Sequence, residues 1–204
     1  MSLKKRSLKK GFQEKSLEES KTKTIGVIGA DHGVGATGIA IAMATYLSEI
    51  KKSRVAILEM GGNRTVQKLS AISGVEMKDN GCFRLKGIDY YENSSLLNLL
   101  NNTYDYIIMD IEEINDRAVE EFVKCTYKLF VGSLQLWKRE MCLKQIERFR
   151  NISGSDGWLY IIHGSYKEVC KLSKEKRIDM VHMPFIEDSM KVSDISLEFF
   201  EKII

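Results

Sequence analysis

The residues with the clearest chemical potential form a glycine-rich segment at positions 29–37 (GADHGVGAT), between an apolar run and an amphipathic stretch. Gly33 and Gly35 permit the backbone angles and the close approach that a phosphate cradle needs. Thr37 supplies a hydroxyl group where loops of this kind coordinate Mg²⁺. The pattern predicts a phosphate-binding loop whose backbone amides meet an anion at the start of a helix. The alternative is a structural turn that serves only helix–strand packing.

The elements that must position this loop alternate along the chain. Short apolar runs predict six buried strands, at residues 24–29, 54–60, 105–111, 127–132, 158–163 and 178–183, and a hairpin at 82–91. Stretches with helical periodicity or helix-capping residues predict helices, at 37–50, 65–73, 96–100, 116–125, 138–151, within 167–174 and at 193–204. Buried strands that alternate with helices predict an α/β fold of three layers, with helices on both faces of a mostly parallel sheet.

Length, composition and charge indicate one domain with a basic extension. The chain has 204 residues, of which 44% are apolar and 29% are charged, as in one soluble globular domain. Residues 1–23 hold eight Lys/Arg and three Glu, a net charge of +5, so the overall +3 leaves −2 for residues 24–204. We expect a flexible tail that contacts membrane, nucleic acid or an acidic protein, or one that only solubilises the chain. The near-neutral domain argues against a nucleic-acid surface on the body.

Membrane-spanning segments, signal peptides and cysteine spacing bear on the location of the protein, and the sequence predicts the cytoplasm. No apolar run approaches the ~20 residues that cross a bilayer, and the charged N-terminus has no apolar segment of a signal peptide. The four cysteines lie far apart and form no CxxC pair, which is typical of reduced thiols. Attachment to the inner face of the membrane through the basic tail is the alternative location.

Four segments together resemble the ParA/MinD superfamily of P-loop ATPases, over residues 24–190. Residues 33–37 (GVGAT) are similar to the end of its deviant Walker A loop, KGGVGKT, and most of all to the TadZ/CpaE branch, whose loops often read GGVGA before Ser or Thr. Residues 104–110 (YDYIIMD) resemble the Walker B strand, residues 55–60 (VAILEM) the switch I strand, and Met183-Pro184 the late strand that precedes the adenine loop.

The resemblance implies that ATP or ADP binds together with Mg²⁺. The residues that it assigns to the nucleotide are Asp31, His32, Gly33, Val34, Gly35, Ala36, Thr37, Gly38, Glu59, Asp110 and Pro184. Thr37 and Asp110 are the implied Mg²⁺ ligands when a nucleotide is bound.

Departures from the family pattern predict weak binding and little or no hydrolysis. The two lysines of the family loop fall on Asp31 and Ala36, and the aspartate that positions water falls on Gly61. Each lost lysine removes a charge-assisted contact of ~1.5–3 kcal/mol, or roughly ten- to a hundredfold in affinity. Asp31 adds a negative charge near the phosphate. We therefore assign no catalytic residue.

Three functions agree with these residues. The first is a non-hydrolysing protein of the TadZ/CpaE type, which takes part in protein localisation or in assembly of a pilus or secretion machine through contacts with other proteins, including a homodimer. The second is an active ParA-type ATPase in DNA partitioning. The third is a structural subunit whose phosphate loop is vestigial.

Overall fold

The computed structural model describes residues 22–61, 65–72, 74–78, 82–92, 100, 102–112 and 114–204. Its strands are β1 (Lys23–Gly29), β2 (Val55–Met60), β3 (Glu76–Met77), β4 (Cys82–Leu85), β5 (Ile88–Tyr91), β6 (Tyr106–Ile111), β7 (Tyr127–Ser133), β8 (Leu159–His163) and β9 (Met180–His182). Its helices are α1 (Ala36–Glu49), α2 (Thr65–Ser70), α3 (Asp116–Lys124), α4 (Leu136–Arg150), α5 (Tyr166–Lys176) and α6 (Asp194–Ile203), with a 3₁₀ turn at Ser155–Gly157.

The strands form one sheet in the order β3-β4-β5-β2-β6-β1-β7-β8-β9. From β5 to β9 every neighbouring pair is parallel, whereas β4 is antiparallel to both β3 and β5. The carboxyl ends of β1, β2 and β6 therefore meet at the same edge of the sheet. Ligands of open parallel sheets bind at that edge.

Helices cover both faces because the central strands are apolar on both sides. On one face α1 packs on Ile25, Ile57 and Ile108, and the last helix, α6, joins this core through Phe200. The opposite face places Phe122 of α3, together with residues of α4 and α5, against strands β1, β6, β7 and β8. The result is three layers.

The predicted fold class is confirmed. Each predicted strand corresponds to an observed one, and the hairpin at 82–91 is present as β4 and β5. The helix predicted from residue 138 begins at Leu136, and the last strand is shorter than predicted, Met180–His182. The helix predicted at 96–100 lies almost entirely outside the described residues, and so do residues 1–21 of the basic tail.

Candidate phosphate-binding site

The glycine-rich segment connects β1 to α1 at the carboxyl edge of the sheet. Gly33 and Gly35 have φ angles of 69° and 94°, in the left-handed region that favours glycine. The backbone amide of Ala30 donates to the carbonyl oxygen of Val131 at 2.7 Å, which fixes the start of the loop to β7. Val34 is buried beneath the loop. These contacts hold the loop in a defined conformation.

The N-terminus of α1 presents its first amides at this loop. The helix begins at Ala36, its N-cap Gly35 makes no side-chain cap, and its first turn holds no acidic residue. The first backbone bond within the helix runs from Ile39 N to Gly35 O, at 3.0 Å. The amides of Ala36, Thr37 and Gly38 precede that bond, so they and the helix dipole favour an anion at this position.

Asp110 lies at the end of β6, beside the start of α1. Its side chain is 2% exposed and interacts with the Thr37 side chain, while its Oδ1 atom is buried without a hydrogen-bond partner in the described structure. Burial raises the pKa of Asp110 to about 7; the Thr37 interaction opposes this rise, and the charges of Glu112 and Glu59 add to it. A buried carboxylate oxygen without a partner is costly unless a cation or a proton satisfies it.

The Mg²⁺ ion that the resemblance implies fits these residues. Mg²⁺ typically takes one or two protein oxygens and completes its octahedron with phosphate oxygens and water. Thr37 and Asp110 supply a hydroxyl and a carboxylate side by side, and the Oδ1 atom of Asp110 has no hydrogen-bond partner among the described residues. Within the described residues, no group of three or more His, Cys, Asp or Glu side chains forms a metal site. Because Thr37 and Asp110 offer two protein oxygens, the pair suits a Mg²⁺ ion that takes its other ligands from phosphate and water.

Glu59 has a structural partner in addition to its place beside Asp110. The two residues face each other in register on β2 and β6. The Glu59 carboxylate accepts the backbone amides of Thr65 at 2.7 Å and Val66 at 3.3 Å, so it caps helix α2. Burial raises its pKa, although these two amides favour the charged form. Its predicted contact with a nucleotide remains a prediction.

Asp31 is not an isolated negative charge, contrary to the simple electrostatic expectation from the sequence. Lys138, in the first turn of α4, places its Nζ atom 2.9 Å from Asp31 Oδ2 and 2.6 Å from the carbonyl oxygen of His32. The other carboxylate oxygen of Asp31 accepts the backbone amide of His32 at 2.7 Å. The hydrogen bond from Lys138 is the main cause of the lowered pKa of Asp31.

The segment after β9 lies along the start of α1. Its first residue, Met183, donates its amide to Ile162 O at 2.9 Å. Its Cε atom lies 2.7 Å from the position that a Cβ atom on Gly35 would occupy. The structure therefore brings the first residue of the predicted Met183-Pro184 pair to the loop. Pro184 itself is half-buried, and its role near an adenine base remains a prediction.

An open pocket of about 200 Å³ lies over the loop, with walls formed by residues 31–37, Gly29 and Glu112. A second pocket of about 400 Å³ shares Gly29, Asp31, His32 and Glu112 with it and extends towards Met141 of α4. Whole ligands commonly occupy ~300–1,000 Å³. The first pocket thus suits phosphate groups, with the remainder of a nucleotide outside it.

Sequence reasoning missed Lys138 and gave Glu112 no role. Lys138 is 107 positions from Asp31, and no local pattern marks it. Glu112 forms part of the pocket wall and lies next to Gly61. The residues predicted from the loop motif, 31–37, do converge on one pocket, and Asp110 joins them through Thr37.

Comparisons with known proteins define the fold. The chain is similar to a putative plasmid partition protein from Borrelia burgdorferi bound to AMPPNP, at 17% identity and a TM-score of 0.62, with 90% of this chain and 96% of that chain covered. It is similar to a ParA family ATPase from Chlorobium tepidum at 14% identity and a TM-score of 0.58, with coverage of 90% and 94%. The MinC:MinD complex from Aquifex aeolicus matches at 13% identity and a TM-score of 0.60, with coverage of 87% and 86%.

No protein-family model matches the chain, and no curated protein sequence matches it. The fold is that of a P-loop nucleotide-binding protein, and within that class it is of the ParA/MinD type. Among the described residues, no helix has the length and apolar character needed to span a membrane.

Proposed function

We propose that this protein binds a nucleoside di- or triphosphate weakly, with Mg²⁺, and hydrolyses it slowly or not at all. The observation that carries the proposal is the junction of the loop with Asp110. The first amides of α1 receive no side-chain cap from Gly35, and beside them Thr37 contacts a buried carboxylate whose Oδ1 atom has no hydrogen-bond partner among the described residues. An anion with its metal satisfies both groups at once. Backbone amides, rather than loop lysines, provide the phosphate contacts.

Slow hydrolysis follows from what the described site offers to a transition state. Transfer of a phosphoryl group requires cations that neutralise developing charge and a group that orients the attacking water. The loop holds Ala36 where the resemblance to the ParA/MinD superfamily places a lysine, and Gly61 where it places the water-positioning aspartate. Glu112, next to Gly61, adds negative charge to the pocket wall instead of a cation.

We further propose that the cellular role depends on protein contacts, as in the TadZ/CpaE branch, with protein localisation or pilus and secretion assembly as the process. Exposed apolar side chains support this proposal. Leu136 and Trp137, at the start of α4 beside the loop, are 88% and 75% exposed. Apolar groups of this size on a surface are typical of sites that contact other proteins, including a second copy of the chain.

A role in DNA partitioning is the second candidate. The similarity to a plasmid partition protein and the net charge of +5 on residues 1–23 both favour it. In this case the tail, rather than the near-neutral domain, would bind DNA or a membrane. A vestigial loop in a structural subunit is the third candidate, and it predicts no nucleotide binding at all.

Titration calorimetry with Mg²⁺-ADP and Mg²⁺-ATP tests the proposal. Because the loop lacks both lysines, we expect dissociation constants of ~10–1000 μM. The variant Ala36→Lys restores a loop cation and should bind roughly ten- to a hundredfold more tightly. Gln67→Lys, on the exposed side of α2, controls for the added charge and should leave the affinity unchanged.

A steady-state ATPase assay tests the second half of the proposal. We expect turnover well below about 1 per minute, which is slow beside ordinary enzymes. Turnover above that rate that is lost on Asp110→Ala would favour the active ATPase. Absence of binding at millimolar nucleotide, with no gain in Ala36→Lys, would favour the vestigial loop.

A further inference from the structure

Lys138 is a cation that the fold, not the loop sequence, brings to the phosphate loop. Its Nζ atom contacts the loop twice, at Asp31 Oδ2 (2.9 Å) and at the carbonyl oxygen of His32 (2.6 Å). Since Asp31 also accepts the His32 amide, the carboxylate and the ammonium contact the backbone on the two sides of His32, at its N–H and at its carbonyl oxygen. Both side chains are largely shielded from solvent, with 22% of Lys138 and 33% of Asp31 exposed.

The contacts of this ammonium leave it able to bind an anion. An ammonium group has three N–H donors, and the two contacts above occupy two of them. The Asp31 end of the pair lies in the wall of the pocket, next to the glycines of the cradle. A phosphate that displaces the Asp31 carboxylate would therefore gain the Lys138 ammonium, which lies directly behind it, as its partner.

We propose that Lys138 is the phosphate-binding cation of this loop and that Asp31 positions it. The inference rests on the proposed binding of a nucleoside di- or triphosphate. In the free protein Asp31 neutralises Lys138 and holds it against the loop. When a polyphosphate binds, its oxygens share or replace the carboxylate as acceptors of the ammonium. Asp31 and the ligand then compete for the same cation, so Asp31 lowers the affinity of the loop for the polyphosphate.

A purely structural pairing is the alternative, in which Asp31 and Lys138 only join α4 to the loop. The two possibilities predict different signs for the change in nucleotide affinity when Asp31 or Lys138 is replaced. If the ion pair only connects α4 to the loop, removal of either partner breaks this connection, and both variants change nucleotide affinity in the same direction. If Lys138 binds phosphate and Asp31 competes for it, removal of the lysine weakens binding whereas removal of the carboxylate strengthens it.

Calorimetry with Mg²⁺-ADP on the full chain distinguishes a phosphate-binding Lys138 from a purely structural ion pair. Lys138→Met should weaken binding by roughly ten- to a hundredfold, the value of one charge-assisted contact. Lys138→Arg retains the charge and should remain within about threefold of wild type. Asp31→Asn should strengthen binding by about threefold or more, since a competing anion near the phosphate is removed. Lys144→Met, an exposed lysine on the same helix, is the matched control and should change nothing.

The outcomes distinguish this inference from the proposed function. If wild type binds Mg²⁺-ADP and Lys138→Met binds equally well, Lys138 is not the phosphate cation, while the nucleotide site stands. If both Asp31→Asn and Lys138→Met weaken binding, the ion pair between Asp31 and Lys138 is purely structural, and the inference is overturned. Absence of binding by wild type at millimolar ADP overturns the proposed function, and this inference with it.

Discussion

Asp110 destabilises the free protein when it is ionised, and Asp110→Asn should reveal this as a pH-dependent gain in stability. The folded pKa is about 7, against 3.8 for the ordinary group, and burial is the main cause. Between these values the folded state holds a proton that the unfolded state has released. The free energy of unfolding therefore falls as pH rises through this range, and above pH 7 the full penalty is present.

The magnitude follows from the difference in pKa. About three pKa units correspond to ~4 kcal/mol at high pH, since each unit is 1.36 kcal/mol. At pH 5 the side chain is protonated in the folded state, and only part of the penalty applies. The same linkage predicts that the stability gained by Asp110→Asn is roughly 2–3 kcal/mol larger at pH 8 than at pH 5. Relief of repulsion on the neighbouring Glu59 has the same sign.

Urea unfolding of wild type and Asp110→Asn at the two pH values measures this difference. Comparison of the two pH values removes any pH-independent cost of the amide in this buried position. Asp179→Asn, at an exposed aspartate on the connection to β9, is the control for the substitution itself and should change the stability little. A gain for Asp110→Asn that is equal at pH 5 and pH 8, or larger at pH 5, would refute the reasoning.

Three further perturbations test other parts of the structure. Gly35→Val should abolish nucleotide binding in calorimetry, because φ is 94° there and a Cβ atom would lie 2.7 Å from Met183 Cε, so the loop must shift; unchanged affinity would contradict the cradle. Asp89→Asn should cost roughly 2–3 kcal/mol in urea unfolding at neutral pH, since this buried carboxylate binds Arg84, Lys78 and Tyr104. Burial opposes its ionised form, but these partners lower its pKa, so the loss should vanish in acid; a loss that persists there would contradict this. Removal of residues 1–21, which precede the buried Thr22 and strand β1, should abolish any binding to anionic vesicles or DNA in sedimentation assays, and binding that survives truncation and high salt would place that site on the domain.

The fold was predictable because its signal is local. Strands such as β1 and β6 are short apolar runs, and burial on both faces gives them no polar alternation to obscure the pattern. Residues 31–37 were predictable for the same reason, since a strand, a glycine loop and a helix follow one another directly. The capping of α2 by Glu59 was not, because the carboxylate meets amides that its own sequence pattern does not mark.

The charge balance of the site was the part that sequence could not provide. From the loop alone, Asp31 and Ala36 leave a phosphate site with an added negative charge and no cation. The structure adds Lys138 from a helix more than a hundred positions away, because the order β6-β1-β7 places the start of α4 beside the loop. A motif records only residues that neighbour one another along the chain, whereas neutralisation depends on distance in space.

The negative charge that remains in the site, at Asp110, couples the binding of the metal ion, a proton and the nucleotide. Lys138 compensates Asp31, but Asp110 lies beside Glu59 and Glu112, and each of these acidic groups raises its pKa. Below pH 7 a proton satisfies Asp110, and above it a divalent cation can take the same place. Mg²⁺ and the proton therefore compete for one carboxylate. Nucleotide binding with Mg²⁺ should strengthen as pH rises through 7, in the same interval in which the free protein loses stability. The ionised Asp110 carboxylate thus lowers the stability of the ligand-free protein most at the pH values at which Mg²⁺ and nucleotide should bind best.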